Sequence, residues 1–429
     1  MKTEKRFVWL LVMALVLALL QPYPLKGQST PWESVGPEGG YVASMAQDPS
    51  NGNVLYVAPY SYPCKIFKST DHGQTWSSIS TIPNPAWGLV VHRANSSILY
   101  ANCSHELRKS TDGGQSWTVH ALPYSYTPRL QFYINDLILD PVNPNILHIA
   151  AHCWTESIPL MAYLRSTDGG ATWSYKTLTS FYATGRAVAV DPANPQNIYV
   201  GGYSIQSYYA YPLVMKSTNG GAEFSDCTSS ISGTVTDLAF HPAASGKLYA
   251  VSGAGIYWST NGGTSWTKNS GYVSSPYEIR FHPQTVNTLF VGAYEGVYKS
   301  TDAGVNWSKI ASGIIGTGYG GFAVESSAPS WMFFANTVGI FRTSDGGSTW
   351  QSCNCGFSCG RITAISLVPS SPTTMYAAME YNAIYKATGA TSPAILWQRI
   401  PVFYGCTDVN SIVIPPTDPN RIYAMEGGG

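Results

Sequence analysis

Carboxylates are the side chains through which this chain could break a bond, and they are few: 24 Asp and Glu among 429 residues. Asp136, Asp237, Asp408 and Glu156 stand out as catalytic candidates. A glycoside hydrolase works with two carboxyl groups, one donating a proton to the leaving oxygen and one acting as nucleophile or base. Their separation sets the outcome, about 5–5.5 Å for retention and about 6.5–9.5 Å for inversion. Glu106, Glu278, Glu295 and Glu380 complete the loop-borne set. Sequence spacing does not say which of these groups meet, and each also reads as a solvated loop residue or a turn acceptor. Metal chemistry has weaker support. Cys353, Cys355 and Cys359 cluster with no His beside them, so zinc would need a ligand from elsewhere, and a disulfide is the better reading. No metal and no cofactor is expected.

The N-terminus bounds the compartment. Lys2, Lys5 and Arg6 precede an unbroken apolar run over residues 7–20, the length of a signal peptide core and short for a membrane span. Residues 1–27 therefore read as a cleaved export signal and the remainder as secreted, periplasmic or cell-surface, with no stable membrane insertion. In an exported chain eight cysteines make disulfides possible. Cys64, Cys103 and Cys153 fall in corresponding loops of successive repeats, which predicts at least one bridge between neighbouring loops, with Cys103 as the shared partner. Charged residues make up 11% of the chain, against about 25% in typical domains. Removing residues 1–27 leaves a small acidic excess, which does not suit nucleic acid.

The elements that must position these groups are announced by a repeat. Residues 69–76 read STDHGQTW, and the octet recurs as STDGGQSW at 110–117, STDGGATW at 166–173, STNGGAEF at 217–224, STNGGTSW at 259–266, STDAGVNW at 300–307 and TSDGGSTW at 343–350. A decayed copy is expected between Lys386 and Trp397. The third positions are Asp71, Asp112, Asp168, Asn219, Asn261, Asp302 and Asp345, spaced 41, 56, 51, 42, 41 and 43 residues apart. A second signature keeps the same beat: a DP or HP turn, as at Asp140-Pro141 or His241-Pro242, then an LYVA-like run. Each unit reads as four short strands, for example Val235–Phe240, 248–251, Gly255–Ser259 and 265–268. Four strands in about 40–50 residues, repeated, is the pattern of a propeller blade.

The octet resembles the Asp box, or bacterial neuraminidase repeat, written S-x-D-x-G-x-x-W. The resemblance spans nearly the whole chain after the signal and implies an all-β fold, a β-propeller of four-stranded blades with an Asp-box turn between strands three and four. About eight full blades and a partial one are expected over residues 28–429. Sialidases, xyloglucan-cleaving hydrolases, the sortilin luminal domain and photosystem II assembly-factor-like propellers share the repeat, so fold alone transfers no activity. Within the box the Asp oxygen should accept backbone N–H bonds, Gly should supply positive φ and Trp should pack between blades. Asn219 and Asn261 keep the acceptor without the charge, which marks the boxes as structural. Arg399-Ile400-Pro401 matches the R-I-P of sialidases, but there it precedes the boxes and here it follows them. It reads as coincidence, and sialidase activity is not expected.

In such a ring strand one lines the channel, and the two-to-three and inter-blade loops share one face. That face is rich in aromatics: Tyr60, Tyr62, Trp87, Tyr126, Trp154, Tyr182, Tyr208, Tyr209, Tyr277, Tyr294 and Tyr404 are the candidate binding residues. They suit sugar rings, a peptide or a protein. Three functional readings follow: a non-catalytic secreted binding propeller for a glycan or protein; a glycoside hydrolase resembling the xyloglucan-cleaving enzymes; and a sortilin-like or assembly-factor-like protein-binding propeller. Residues 30–35 (TPWESV) look like the end of a box and a fourth strand, while the last strands, 409–414 and 421–425, lack a third and fourth. The expectation is a propeller incomplete at its C-terminus, either one large ring or a smaller ring followed by the start of a second.

Overall fold

A computed structural model describes residues 39–126, 129–155, 157–244, 246–269, 271–314, 318–355, 362–368, 371–379, 383–388, 396–400, 409–415 and 421–426. The predicted signal segment and Trp32 lie outside them. The described residues form antiparallel sheets with no helix. Sheet one consists of Val42–Gln47, Leu55–Pro59, Cys64–Ser69 and Ser77–Ile82, in that order. Sheets two (88–120), four (183–226), five (235–268), six (276–309), seven (321–352) and eight (362–400) repeat this order. Sheet three (124–177) adds a fifth strand, Tyr124–Tyr126, beside its innermost one, and sheet nine (409–426) has two strands. The second strands are buried along their whole length, as in Leu55–Pro59, Leu248–Ser252 and Leu289–Ala293. Neighbouring sheets cover both faces, so these strands read as continuous apolar runs rather than alternating ones. The core accordingly lies between sheets, as where Tyr56 and Ile66 meet Leu89 and Leu99.

Each octet folds as the turn between strands three and four. In the first, the buried Ser69 Oγ accepts from Gly73 N at 2.8 Å and donates to Asp71 Oδ1 at 2.7 Å. Asp71 Oδ1 also accepts from Thr75 N at 2.9 Å, and its Oδ2 from Thr75 Oγ1 at 2.6 Å. Asn219 Oδ1 and Asn261 Oδ1 accept the corresponding N–H of Glu223 and Ser265 at 3.0 Å. Asn261 then turns its amide round and donates to Ser265 Oγ at 2.9 Å. The acceptor oxygen, not the charge, is thus what the turn requires.

The turn is also a socket for the preceding sheet. The Tyr of the LY signature reaches the carbonyl of the octet's fourth residue: Tyr100 Oη donates to Gly169 O at 3.2 Å, Tyr199 Oη to Gly262 O at 2.9 Å and Tyr249 Oη to Ala303 O at 2.8 Å. The cation just before the octet joins it. Lys109 Nζ donates to Gly169 O at 3.0 Å and Lys216 Nζ to Gly262 O at 2.8 Å, while both ammonium groups sit over the tyrosine rings at 5.4 and 5.5 Å. Such cation–π contacts contribute about 0.5–1 kcal/mol each.

Seven sheets close into a ring. Sheet one meets sheet seven as sheet seven meets sheet six: Trp76 N and Nε1 donate to Cys355 O and Cys353 O, while Trp350 N and Nε1 donate to Ser312 O and Ile310 O. Arg342 NH1 donates to His72 O at 3.1 Å, the same clamp across the closing seam. His72 stacks on Trp331 at 4.4 Å and bonds Glu325 at 3.0 Å. The backbone adds a clasp: Gly40 N donates to Val338 O at 2.9 Å and Val42 N to Asn336 O at 3.2 Å. Sheets eight and nine follow the ring and pack on each other through Val368, Tyr376 and Ile384 against Val409 and Ile412.

The expected disulfide is not formed. Cys64, Cys103 and Cys153 are buried thiols, because their side chains turn inward between the sheets instead of up into the loops. Cys64 and Cys103 share one core cluster; burial pushes their thiols up to about 11 and about 12, which suppresses the reactive thiolate. Cys353 is likewise a buried thiol, and Cys359 lies outside the described residues.

Two outcomes follow. Gly39 has φ +115°, and a Cβ there would stand 2.5 Å from Val338 O. Gly39→Ala should therefore destabilise the ring by about 1–3 kcal/mol. Gly346→Ala, also at positive φ but with open space around it, should cost less; equal losses in denaturant unfolding would argue against the clasp. Hydrogen bonds to the carboxylate hold Asp112 down at about 2, and Asp71, Asp168, Asp302 and Asp345 are also lowered, Asp71 against the opposing effect of desolvation. Acids depressed in the fold contribute stability that is complete above about pH 4 and lost as pH falls through the folded values. Converting Asp112, Asp168 and Asp302 to Asn should flatten the acid limb of thermal melts between pH 4 and 2 and leave neutral stability close to that of the parent.

Candidate functional site

The innermost strands carry a bulge that aims side chains at the ring centre and at the next sheet. The pairing register skips at Ala43, Asn135, Arg186, Thr236 and Tyr277 in sheets one, three, four, five and six. Asn135 Nδ2 donates to Gly185 O at 2.6 Å, and the following Asp136 accepts from Val188 N at 2.9 Å. Thr236 Oγ1 donates to Pro276 O at 3.5 Å, and Asp237 accepts from Ile279 N at 2.8 Å. Glu278 accepts from Phe322 N in the same relation. Each carboxylate therefore joins two sheets before it can do anything else.

These three acids form one electrostatic cluster, with Asp237 and Glu278 both beside Arg280. Asp136 of sheet three feels Asp237 of sheet five and Arg280 of sheet six, an interaction that non-adjacent sheets can make only through the ring centre. Arg280 pairs with Glu278 and lies 3.5 Å from Asp237. Desolvation by the ring dominates. It raises Asp136 to about 6, with Asp237 adding to the rise, and raises Asp237 against the pull of Arg280. Glu278 goes well above its usual value, through desolvation first and then the two aspartates. The side chains still touch water, at 16% exposure for Asp237 and 13% for Glu278. Higher on the wall, His152 stacks flat on Tyr133 at 4.9 Å, and burial beside Arg186 drops it to about 4, so it is neutral near pH 7.

Asp136 and Asp237 were expected as strand-one carboxylates and occupy the channel together. Sequence alone places Glu278 in a loop and gives Arg280 no role; both belong to the same cluster. The signal was present: Asp136, Asp237 and Glu278 each stand four residues before Asp140, His241 and His282 of the DP and HP turns. Glu156, Asp408 and Tyr404 lie outside the described residues. Among those residues no group of three His, Cys, Asp or Glu is arranged to hold a metal, and no helix is long and apolar enough to cross a membrane.

The predicted aromatics divide into two surfaces. Around the mouth Tyr60 meets Tyr41 at 5.4 Å, Tyr62 at 5.9 Å and Trp87 at 5.2 Å, and Tyr277 stacks on Tyr319 at 5.5 Å. Tyr277 is close enough to Tyr41 to influence its ionisation. An arc thus runs over sheets two, one, seven and six, with Tyr294, 44% exposed, beside it on sheet six. The second surface stands on sheets three and four: Tyr126 against Tyr124 at 4.7 Å, Trp154 half-buried at a strand end, Tyr182 half-buried, and Tyr208 and Tyr209 at a hairpin tip.

Comparison with known proteins supports the fold. No family model matches the chain. A xyloglucanase of Acetivibrio thermocellus is 30% identical over 167 residues, covering 31% of this chain and 19% of the enzyme. A xyloglucanase of a Paenibacillus species is 25% identical over 336 residues, covering 64% of this chain and 32% of the enzyme. Among solved structures, the GH74 xyloglucanase of Xanthomonas campestris superposes with a TM-score of 0.66 at 16% identity, over 89% of this chain and 63% of that one. The shared element is the β-propeller. The chain spans a third or less of the length of these two sequence relatives.

Raised acids reverse the pH sign worked out for the octets. A carboxyl whose folded value is raised adds stability below its unfolded value near 4, and that stability is lost as pH rises through about 6. Asp136→Asn, which can still accept from Val188 N, should gain on the parent by on the order of 2 kcal/mol between pH 4 and 7. Parallel stability curves for the two proteins would show that the Asp136 carboxyl is not desolvated.

Proposed function

We propose that the protein is a glycoside hydrolase-like propeller that takes a neutral polysaccharide of the β-glucan type, xyloglucan first among them, across its aromatic mouth. The observation that carries this reading is the placement of the Trp87–Tyr60–Tyr41 arc and the Tyr277–Tyr319 pair around a channel whose carboxyls are harder to ionise than usual. Sugar rings present C–H faces to aromatic planes, and a carboxyl at about 6 is protonated in mildly acidic medium and able to donate a proton to a leaving oxygen. Asp237, 3.5 Å from Arg280, is the second carboxyl of the pair. The likeness to xyloglucanases supports this reading over the non-catalytic binding protein and the sortilin-like alternative. The octets, in this view, are Asp boxes that serve the scaffold, and the basic and apolar N-terminus supports export to where such polymers occur.

A second reading, binding without cleavage, is favoured by the backbone bonds that Asp136, Asp237 and Glu278 already make. Reducing-end release from xyloglucan, run beside affinity electrophoresis in xyloglucan gels, separates the two. The first reading expects both signals. Asp136→Asn should then lower turnover at least 100-fold with unchanged gel retardation, and Trp87→Ala with Tyr60→Ala should weaken retardation. Retardation without any released ends would leave the binding protein; neither signal on any neutral β-glucan would reject both.

A further inference from the structure

Sheets three and four are taller than the other sheets of the ring. The second strand of sheet four runs Ile198–Gln206, against Leu248–Ser252 at the same place in sheet five. The four extra residues carry the hairpin about 13 Å further out at ~3.3 Å per residue. Beyond Ser204, paired with Ala183, the innermost strand gives out, and Ile205 and Gln206 pair only with Ala210 and Tyr209. Beyond the hairpin itself, the carbonyl of Tyr182 supports this stretch, accepting from Ile205 N at 3.1 Å. The hairpin is therefore a free-standing arm on the loop face, on the side of the ring away from the Tyr60–Trp87 arc.

Its tip is built against local preference. The two-residue turn holds Ser207 at φ 47° and Tyr208 at φ 73°, positions that hairpins of this kind usually give to Asn-Gly because both need positive φ. A tyrosine held in the left-handed region with its ring wholly exposed is a local cost without a packing return, the kind of outlier that accompanies function. Tyr209 and Tyr211, 70% and 47% exposed, follow on one face of the return strand about 7 Å apart.

The occupant follows from the chemistry of the arm. No charged residue or His occurs from 198 to 215, so an anionic surface and a basic peptide both lack a counter-charge. The exposed rings are tyrosines, with Gln206 and Ser207 just before them, and the one exposed aliphatic side chain at the tip is the methyl of Ala210. Flat apolar faces edged with hydroxyl and amide groups match neutral sugar rings, whose C–H faces stack and whose hydroxyls bond. Tyrosines do this with few rotors to immobilise. We infer that the arm is a second, non-catalytic docking site for a neutral polysaccharide, holding the polymer at a distance from the channel. The inference rests on the polysaccharide reading above, and the test separates the two.

The experiment is affinity electrophoresis of the full chain in gels of xyloglucan and of a linear β-glucan, with sedimentation velocity alongside. Tyr208→Ala/Tyr209→Ala/Tyr211→Ala should lose at least threefold of the retardation, keep its thermal midpoint, and keep whatever turnover the parent shows on short oligosaccharides. Tyr208→Gly is the sharper variant: it relieves the positive φ, so it should melt higher than the parent and yet bind the polymer less. If the parent is retarded and the arm variants match it while Trp87→Ala/Tyr60→Ala does not, the arm inference alone is overturned. If the parent is not retarded by any neutral glycan, the polysaccharide reading falls and takes the arm with it. A parent dimer that the arm variants dissociate would mean the arm docks a second copy, and would also overturn it.

Discussion

One backbone oxygen ties four of the seven seams of the ring: the carbonyl of the fourth octet residue. The turn that presents it is fixed internally by Ser Oγ and Asp or Asn Oδ1. The groups that find it, a tyrosine hydroxyl and a lysine or arginine, come from the sheet before. That contact is made into sheets three, five, six and one, and the seventh sheet returns to the first. The octet, the LY signature and the cation before the octet are therefore parts of one joint rather than three motifs.

The channel is a by-product of that joint. Bulges let the innermost strands splay, and the polar side chains they carry bridge to the next sheet. Where the bridge is a carboxylate, burial leaves it hard to ionise, and three such groups with one arginine make a centre whose charge depends on pH. Sheets one and two, by contrast, join through Ser44 Oγ donating to Ala86 O at 2.7 Å. The joint does not require an acid, so the acids at sheets three, five and six are additions.

Features made within a few residues were legible in the sequence. The octet turn needs a hydroxyl, an acceptor oxygen and glycines at fixed offsets, and each copy shows them. The four-stranded units followed from alternation and turn residues. What escaped depends on residues far apart. Gly39 reads as one glycine among 41; only the approach of Val338 gives it meaning. Glu278 sits after a tyrosine in what resembles a loop, and its place in the channel emerges from the bulge at Tyr277. The cysteines were misjudged for a related reason: loop positions set their spacing, but side-chain direction, which burial decides, sets whether two sulfurs can meet. The aromatic face was legible as a whole, and its division into an arc and an arm was not, since strand length beyond the ring leaves no mark in residue type.

The closing seam also has a schedule. The face of sheet one that carries Val42, Leu55, Val57 and Trp76 is covered by Phe333, Ala335 and Ile340, which leave the ribosome roughly 300 residues later, about 15–60 s at ordinary elongation speeds. Through that interval the growing chain is an open arc with an apolar flank at its leading end, and nothing later in the arc can cover it. The last sheet must then dock against two neighbours at once, one freshly made and one long finished. Local order along the chain makes each sheet quick to form, whereas the final joining is as non-local as the ring is large. Conditions that leave the individual sheets intact can still leave the circle unjoined.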